Sequence, residues 1–186
     1  MKKLTILVDM DDTIESLGEA WIEYLNNKYH TNVCKEDVTD WDISKAFPEI
    51  DKPLVYQPLH DKALWKSVKP IPGAAEYLKR LIDDGHKVVI VTTSNPESAP
   101  MKLRYTLFPN FPFFTYHDVV ITSQKQLVKG DILIDDGVHN LIGGDYHKIL
   151  MSAYHNRSFD AEANNMIRAD SWEEVYTIVQ EFASED

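Results

Sequence analysis

This sequence of 186 residues has one cysteine, no long apolar run and far fewer basic than acidic residues. Each shortage excludes something. The single thiol, Cys34, cannot close an internal disulfide, which suits a reducing compartment. No stretch approaches the roughly 18 consecutive apolar residues of a membrane span. The run Leu4 to Val8, behind Met1-Lys2-Lys3, is cut by Asp9, Asp11 and Asp12. That is too early for a secretory apolar region, so the cytoplasm is the expected compartment. Lys and Arg number 19 against 30 Asp and Glu, a net charge of −11. A duplex nucleic-acid binder needs a basic surface, so that class is excluded. A small phosphorylated ligand is not, because a bound divalent cation can supply the local positive charge. Internal repeats and low-complexity segments are also missing. The length suits one core with a modest insertion, and nothing in the pattern speaks to oligomeric state.

What is present is an alternation. Lys3 to Val8 is short, apolar and rich in branched residues, which predicts a buried strand. Ser16 to Tyr29 predicts a helix with Leu17, Ala20, Trp21, Tyr24 and Leu25 on one face. Residues 30 to about 70 lose the rhythm. They hold Pro48, Pro53, Pro58 and Pro70 and the aromatics Trp41, Phe47, Tyr56 and Trp65, and read as a small helical cap. The alternation resumes after Pro72-Gly73 with a helix over Ala74 to Ile82, then a strand over Lys87 to Val91. Residues 95–117 predict one short helix and a loop. Strands follow over Asp118 to Ile121, Asp131 to Ile134 and Lys148 to Ser152, and Ser171-Trp172-Glu173-Glu174 resembles a capping box opening a last helix. Such an order implies an α/β fold with a parallel sheet covered on both faces.

Three of these strands end in polar groups: Asp9-Met10-Asp11-Asp12-Thr13, Thr92-Thr93-Ser94 and Asp135-Asp136. Right-handed crossovers bring such ends to one sheet edge, where ligands bind in open parallel sheets. Gathered carboxylates repel one another unless a cation joins them, and an all-oxygen set suits Mg²⁺. Two carboxylates spaced as Asp9-x-Asp11 can divide labour, one attacking phosphorus and the other moving protons. The Thr93 hydroxyl and the Lys125 ammonium could hold phosphoryl oxygens.

With these residues in place, Ile6-Leu7-Val8-Asp9-Met10-Asp11-Asp12-Thr13 resembles the first signature of the haloacid dehalogenase superfamily, and Thr93, Lys125 and Asp135-Asp136 follow in that superfamily's order. The 5′(3′)-deoxyribonucleotidases are similar in Val8-Asp9-Met10-Asp11, Pro70-Ile71-Pro72-Gly73-Ala74, Thr93-Ser94 and Leu133-Ile134-Asp135-Asp136, and in the ten-residue step from Lys125 to Asp135. The resemblance spans roughly residues 4 to 150. It implies a three-layer, Rossmann-like core over residues 1–15 and 70–186, with a helical cap over 16–69. It implies a magnesium-dependent phosphomonoesterase acting on deoxynucleoside monophosphates. In that scheme Asp9 becomes an aspartyl-phosphate, and Asp11 serves as acid and then base. Thr93, Ser94 and Lys125 hold the phosphate. Mg²⁺ is held by Asp9, the Asp11 carbonyl and Asp136, with Asp135 in support. An aspartate two residues after the nucleophile favours phosphatase chemistry over that of the superfamily's dehalogenases and ion pumps. Leu17 and Trp41 are expected to form an apolar and aromatic wall for sugar and base. Two departures stand out. Ser123 occupies the place of a basic residue, and Asn95-Pro96-Glu97 follows Thr93-Ser94 with no lysine before Lys102. A phosphatase of another small metabolite, such as a sugar phosphate, and a silent phospholigand-binding module are the alternatives.

The remaining residues have plainer expectations. Asp12 reads as a turn or capping residue, and Thr13 as a local tie of its loop. Cys34 reads as unreactive. His139, His147 and His155 lack metal-ligand spacing and read as ordinary histidines. Trp21 and Tyr24 belong to a helical apolar face. Trp41 and Trp65 stand open between packing the cap and stacking on a base. Glu181, Glu185 and Asp186 read as a solvated end.

Overall fold

The structure is a computed structural model that describes residues 2–184. Glu185 and Asp186 lie outside the described residues, while Glu181 is exposed as expected. Six parallel strands form one sheet: β1 (Thr5–Val8), β2 (Lys87–Thr92), β3 (Val119–Ile121), β4 (Ile132–Asp135), β5 (His147–Met151) and β6 (Ile167–Ala169), in the order β3-β2-β1-β4-β5-β6. The helices are α1 (Leu17–Tyr29), α2 (Lys52–Tyr56), α3 (Lys62–Ser67), α4 (Ala74–Asp83), α5 (Ala99–Lys102), α6 (Phe108–Asn110), α7 (Val138–Leu141) and α8 (Trp172–Ser184). The two-residue period of a strand sorts β1 between two cores. Ile6 and Val8 pack with α4 and α8, whereas Leu7 points to the other face with Val91, Leu133 and Leu141. Each such fully buried side chain contributes about 1.5–3 kcal/mol. This is the three-layer α/β architecture expected.

The strand order places the site. β1 pairs with β2 on one side and with β4 on the other, so the chain reverses direction across the sheet beside β1. In open parallel sheets that point opens a crevice at the carboxyl ends. Asp9 continues β1, its amide donating to the Ile134 carbonyl at 2.9 Å.

The insertion after β1 has a core of its own. Leu17, Trp21 and Leu25 from α1 pack with Ile43, Phe47, Val55, Leu64 and Trp65. Trp65 is 2% exposed, and its indole N–H donates to the Leu59 carbonyl at 2.9 Å. Trp21 likewise donates to the Val55 carbonyl at 2.7 Å. Tyr24 is only half-buried, its hydroxyl donating to Asp61 at 2.5 Å. Met101 and Tyr105 pack against this core.

Three sequence expectations are adjusted. Residues 99–110 form a continuous helical run in which α5 and α6 are joined by a π-helical stretch, Leu103–Leu107, rather than one short helix and a loop. Edge strand β6 was not anticipated: three residues with an arginine at the centre carry too little alternation to read. At the start of α8, Ser171 accepts from the Glu174 amide at 3.2 Å, but Glu174 reaches back to the Asp170 amide, one residue before the box position.

Candidate active site

The loop after β1 is shaped by Asp12 and Gly18. Asp12 takes a left-handed backbone angle, φ 50°, which an aspartate tolerates better than most residues. Its carboxylate accepts from the Gly18 amide at 2.9 Å, within the first turn of α1. The capping expectation for Asp12 therefore holds. A Cβ on Gly18 would stand 2.8 Å from that carboxylate, so the cap needs glycine there. Thr13 is not a local tie. Its hydroxyl donates to Asp136 Oδ1 and accepts from the Asp136 amide, both at 3.2 Å, joining the loop after β1 to the end of β4. Buried Trp172 of α8 donates to the Thr13 carbonyl at 2.9 Å and fixes the loop from below.

Above this loop lies a cavity of about 720 Å³ between the sheet edge and the cap. Asp9, Asp11, Asp136 and Lys125 line its floor. Lys125 comes from the loop after β3 and is 1% exposed. Its ammonium lies 2.6 Å from Asp9 Oδ1 and 2.6 Å from Asp135 Oδ2. The contact with Asp9 is an ion pair. Burial works against the charge on Lys125. Asp9 and Asp135 outweigh it and hold its pKa above the ordinary lysine value.

The carboxylates are under mutual strain. Burial, reinforced by Asp11 and Asp136 and opposed by Lys125, raises Asp9. Burial and Asp9 push Asp135 up to about 8. Burial and Asp136 push Asp12 up to about 7. The donor set fits a hard divalent cation, which would relieve this repulsion. Buried oxygens of Asp9, Asp135 and Asp136 lie within 4.8 Å of one another, and Asp9 Oδ1 has no hydrogen-bond partner. Asp135 belongs to the cluster by distance, but it already accepts from Lys125, from the Gly137 amide at 2.8 Å and from Asn140 at 2.9 Å. Those bonds suit a supporting role. The Asp11 side chain stands outside the cluster.

The structure brings most sequence candidates together. Leu17, Trp41 and Thr93 also line the cavity. The Thr93 hydroxyl donates to the Thr122 carbonyl at 3.1 Å, so it must turn to reach a phosphate. Ser94 is not brought to the wall; its hydroxyl pairs with Ser98 at 3.1 Å. Trp41 and Trp65 part ways. Trp65 is buried in the cap core, whereas Trp41 is 62% exposed and meets His139 edge-on at 4.9 Å.

Four functional candidates escaped the sequence reading. Lys102 is 1% exposed. Its ammonium donates to Asp11 Oδ2 and to Thr92 Oγ1, each at 2.6 Å. Burial opposes its charge, but Asp11, Glu15 and Asp9 raise its pKa. Glu15 is fully buried with both carboxyl oxygens unpartnered. Burial and Asp11 push it well above the carboxylate range, and a neutral carboxyl is the cheaper species to bury. His155 and His139 both line the cavity. Position could have flagged His155. It follows β5 at the sheet edge that selected Asp135.

A family described as "5′ nucleotidase, deoxy (Pyrimidine), cytosolic type C protein" matches residues 2–184. The chain belongs to that family. It is 35% identical over 176 residues to a 5′(3′)-deoxyribonucleotidase of Bacillus subtilis, covering 94% of this chain and 97% of the relative. It is 29% identical over 181 residues to a 5′(3′)-deoxyribonucleotidase of Clostridium acetobutylicum, covering 97% of each. Among solved structures, a haloacid dehalogenase-like hydrolase from Streptococcus pneumoniae superposes with a TM-score of 0.68 at 13% identity, over 96% of this chain and 99% of that one. A hydrolase of the same type from B. subtilis, bound to magnesium, gives 0.63 at 16% identity over the same shares. These two likenesses establish the fold. Membership of the cytosolic type C nucleotidase family makes the chain a phosphoric monoester hydrolase. No helix among the described residues is long and apolar enough to cross a membrane.

Proposed function

We propose that the chain is a magnesium-dependent 5′(3′)-deoxyribonucleotidase that releases phosphate from deoxynucleoside monophosphates through an aspartyl-phosphate on Asp9. The observation that carries this reading is the pairing of Asp9 with Lys125 at 2.6 Å on the floor of a cavity with an apolar wall. A carboxylate oxygen of Asp9 attacks phosphorus. It displaces the nucleoside oxygen as the phosphoryl group passes to Asp9. Asp11 protonates the departing oxygen and then takes a proton from the water that hydrolyses the aspartyl-phosphate. Lys102, 2.6 Å from Asp11 Oδ2, steers that side chain. Lys125 offsets negative charge on Asp9 and on the phosphoryl oxygens in transfer. Thr93 holds a phosphoryl oxygen once its hydroxyl leaves the Thr122 carbonyl. Asp9, Asp136 and the Asp11 carbonyl would hold Mg²⁺, with Asp135 behind them, and its charge would offset that of the phosphate.

Selectivity falls to the cap. Leu17 offers an apolar surface suited to a sugar lacking the 2′-hydroxyl, and the exposed ring of Trp41 offers a stacking face. Screening phosphate release from deoxynucleoside monophosphates, ribonucleoside monophosphates and sugar phosphates, with and without Mg²⁺, tests the reading. Deoxynucleotides should lead by kcat/KM and require the ion. A sugar phosphate turned over faster than every nucleotide would overturn the substrate assignment.

A further inference from the structure

Asp136 is braced from a direction that the mechanism above does not use. The imidazole Nε2 of His155 lies 3.1 Å from Asp136 Oδ2 and 3.3 Å from the Asp136 carbonyl. With a carboxylate and a carbonyl as its two neighbours, that nitrogen carries the hydrogen. Asn156, next in sequence and 3% exposed, donates its amide to the same Asp136 carbonyl and to the Met151 carbonyl, both at 2.8 Å. Its amide oxygen accepts from the Ala153 amide at 3.2 Å and from Arg168 at 2.9 Å. Donors and acceptors match at all four contacts, so the amide has one orientation. Arg168, on β6, completes the brace by donating to the Asn156 carbonyl at 3.1 Å and the Phe159 carbonyl at 2.8 Å.

The chain thus runs from edge strand β6 through Asn156 and His155 to one carboxylate of the three-carboxylate cluster. Thr13 holds the other oxygen of that carboxylate. Each carboxylate oxygen accepts more than one bond, so both keep capacity for a cation.

We propose that His155 is a positioning residue for the metal: it fixes the Asp136 carboxylate in place before the ion arrives, with Asn156 and Arg168 fixing His155's loop. This rests on the assignment of Asp136 as a Mg²⁺ ligand. An unbraced carboxylate must lose rotamer freedom on binding the ion, and a braced one has lost it already. Partners that orient a metal ligand typically carry ten- to a hundredfold in affinity, about the size expected here.

The test is calorimetric titration of the whole chain with Mg²⁺ alone, substrate absent, for wild type, His155→Ala and His155→Gln. Melting curves in EDTA accompany it. His155→Ala should weaken Mg²⁺ binding by about tenfold or more. His155→Gln, whose amide can still donate to Asp136, should recover most of that loss. Melting temperatures in EDTA should not follow this ranking. The activity lost by His155→Ala should return as Mg²⁺ is raised. Unchanged or tighter Mg²⁺ binding by His155→Ala would overturn the proposal. So would equal losses in the two variants, or activity that stays low at saturating Mg²⁺. Failure of the wild type to bind Mg²⁺ would instead remove the metal assignment beneath it.

Discussion

The floor and the cap wall of the cavity are built differently. On the floor, polar groups are buried and bound several times over. Lys125 meets two carboxylates, Asp135 accepts three bonds, and Asp136 is held by Thr13, His155 and Asn156. On the cap, Trp41 is mostly exposed and meets His139 edge-on. A phosphoryl group is the same in every substrate, and its chemistry demands fixed charges. Base and sugar vary, and a loosely held ring can be exchanged without disturbing the charges below. On the proposed reading the floor sets the rate of reaction and the cap sets which molecule reacts.

The sharpest way to break this division is at Asp9. Asp9→Asn keeps the shape and removes the nucleophile, so phosphate release should fall about a thousandfold or more with the circular dichroism unchanged. Activity within tenfold of wild type would contradict the covalent route. Next in size is Lys125→Ala. Its effect should fall on kcat rather than KM, by roughly a hundredfold, because charge on Asp9 and the phosphoryl group shifts most in the transition state. A change confined to KM would make Lys125 a binding group only.

The two cap tryptophans sharpen the comparison. Trp41→Ala should lower kcat/KM for a deoxynucleotide by about 1–3 kcal/mol, yet spare a small chromogenic phosphate ester and the melting temperature. Trp65→Ala should do the reverse to stability, costing about 3–5 kcal/mol because its indole fills the cap core. Equal losses on both substrates for Trp41→Ala, with a marked drop in melting temperature, would make Trp41 structural.

How far the sequence reveals this molecule follows the same division. Strand ends with paired carboxylates are legible because crossover handedness forces them to one edge. Asp9, Asp11, Lys125, Asp135 and Asp136 accordingly meet there. Lys102 was hidden because a lysine among Pro100, Met101 and Leu103 carries no periodic signal. Only the helical run over 99–110 turns it onto Asp11. The long-range tie of Thr13 is invisible in the sequence because its partner, Asp136, lies 123 positions away. Trp41 and Trp65 are equivalent in composition and separate only when the cap packs.

The smallest predicted effect concerns pH. Asp135 at about 8 and Asp12 at about 7 are raised above their unfolded values, so the folded chain binds their protons more tightly. Their contribution to stability is present at low pH and is lost as pH rises through those values. Without Mg²⁺ this portion of stability should decline from about pH 4, where the unfolded carboxyls ionise, to about pH 8, where the folded ones have done so. Bound Mg²⁺, which favours the ionised cluster, should offset the decline. The melting-temperature gain on adding Mg²⁺ should therefore grow by a few degrees across that range. A gain that shrinks with rising pH would contradict the clustering of Asp135 with Asp9 and Asp136 around an ion.

The central claim is that a phosphoryl group passes to Asp9. Acid quenching during turnover of a deoxynucleoside monophosphate, followed by mass spectrometry of the peptide containing Asp9, tests it directly. The account predicts phosphate on Asp9 in the wild type and none in Asp9→Asn. Steady turnover with an unmodified Asp9 peptide, or phosphate on another residue, would contradict it.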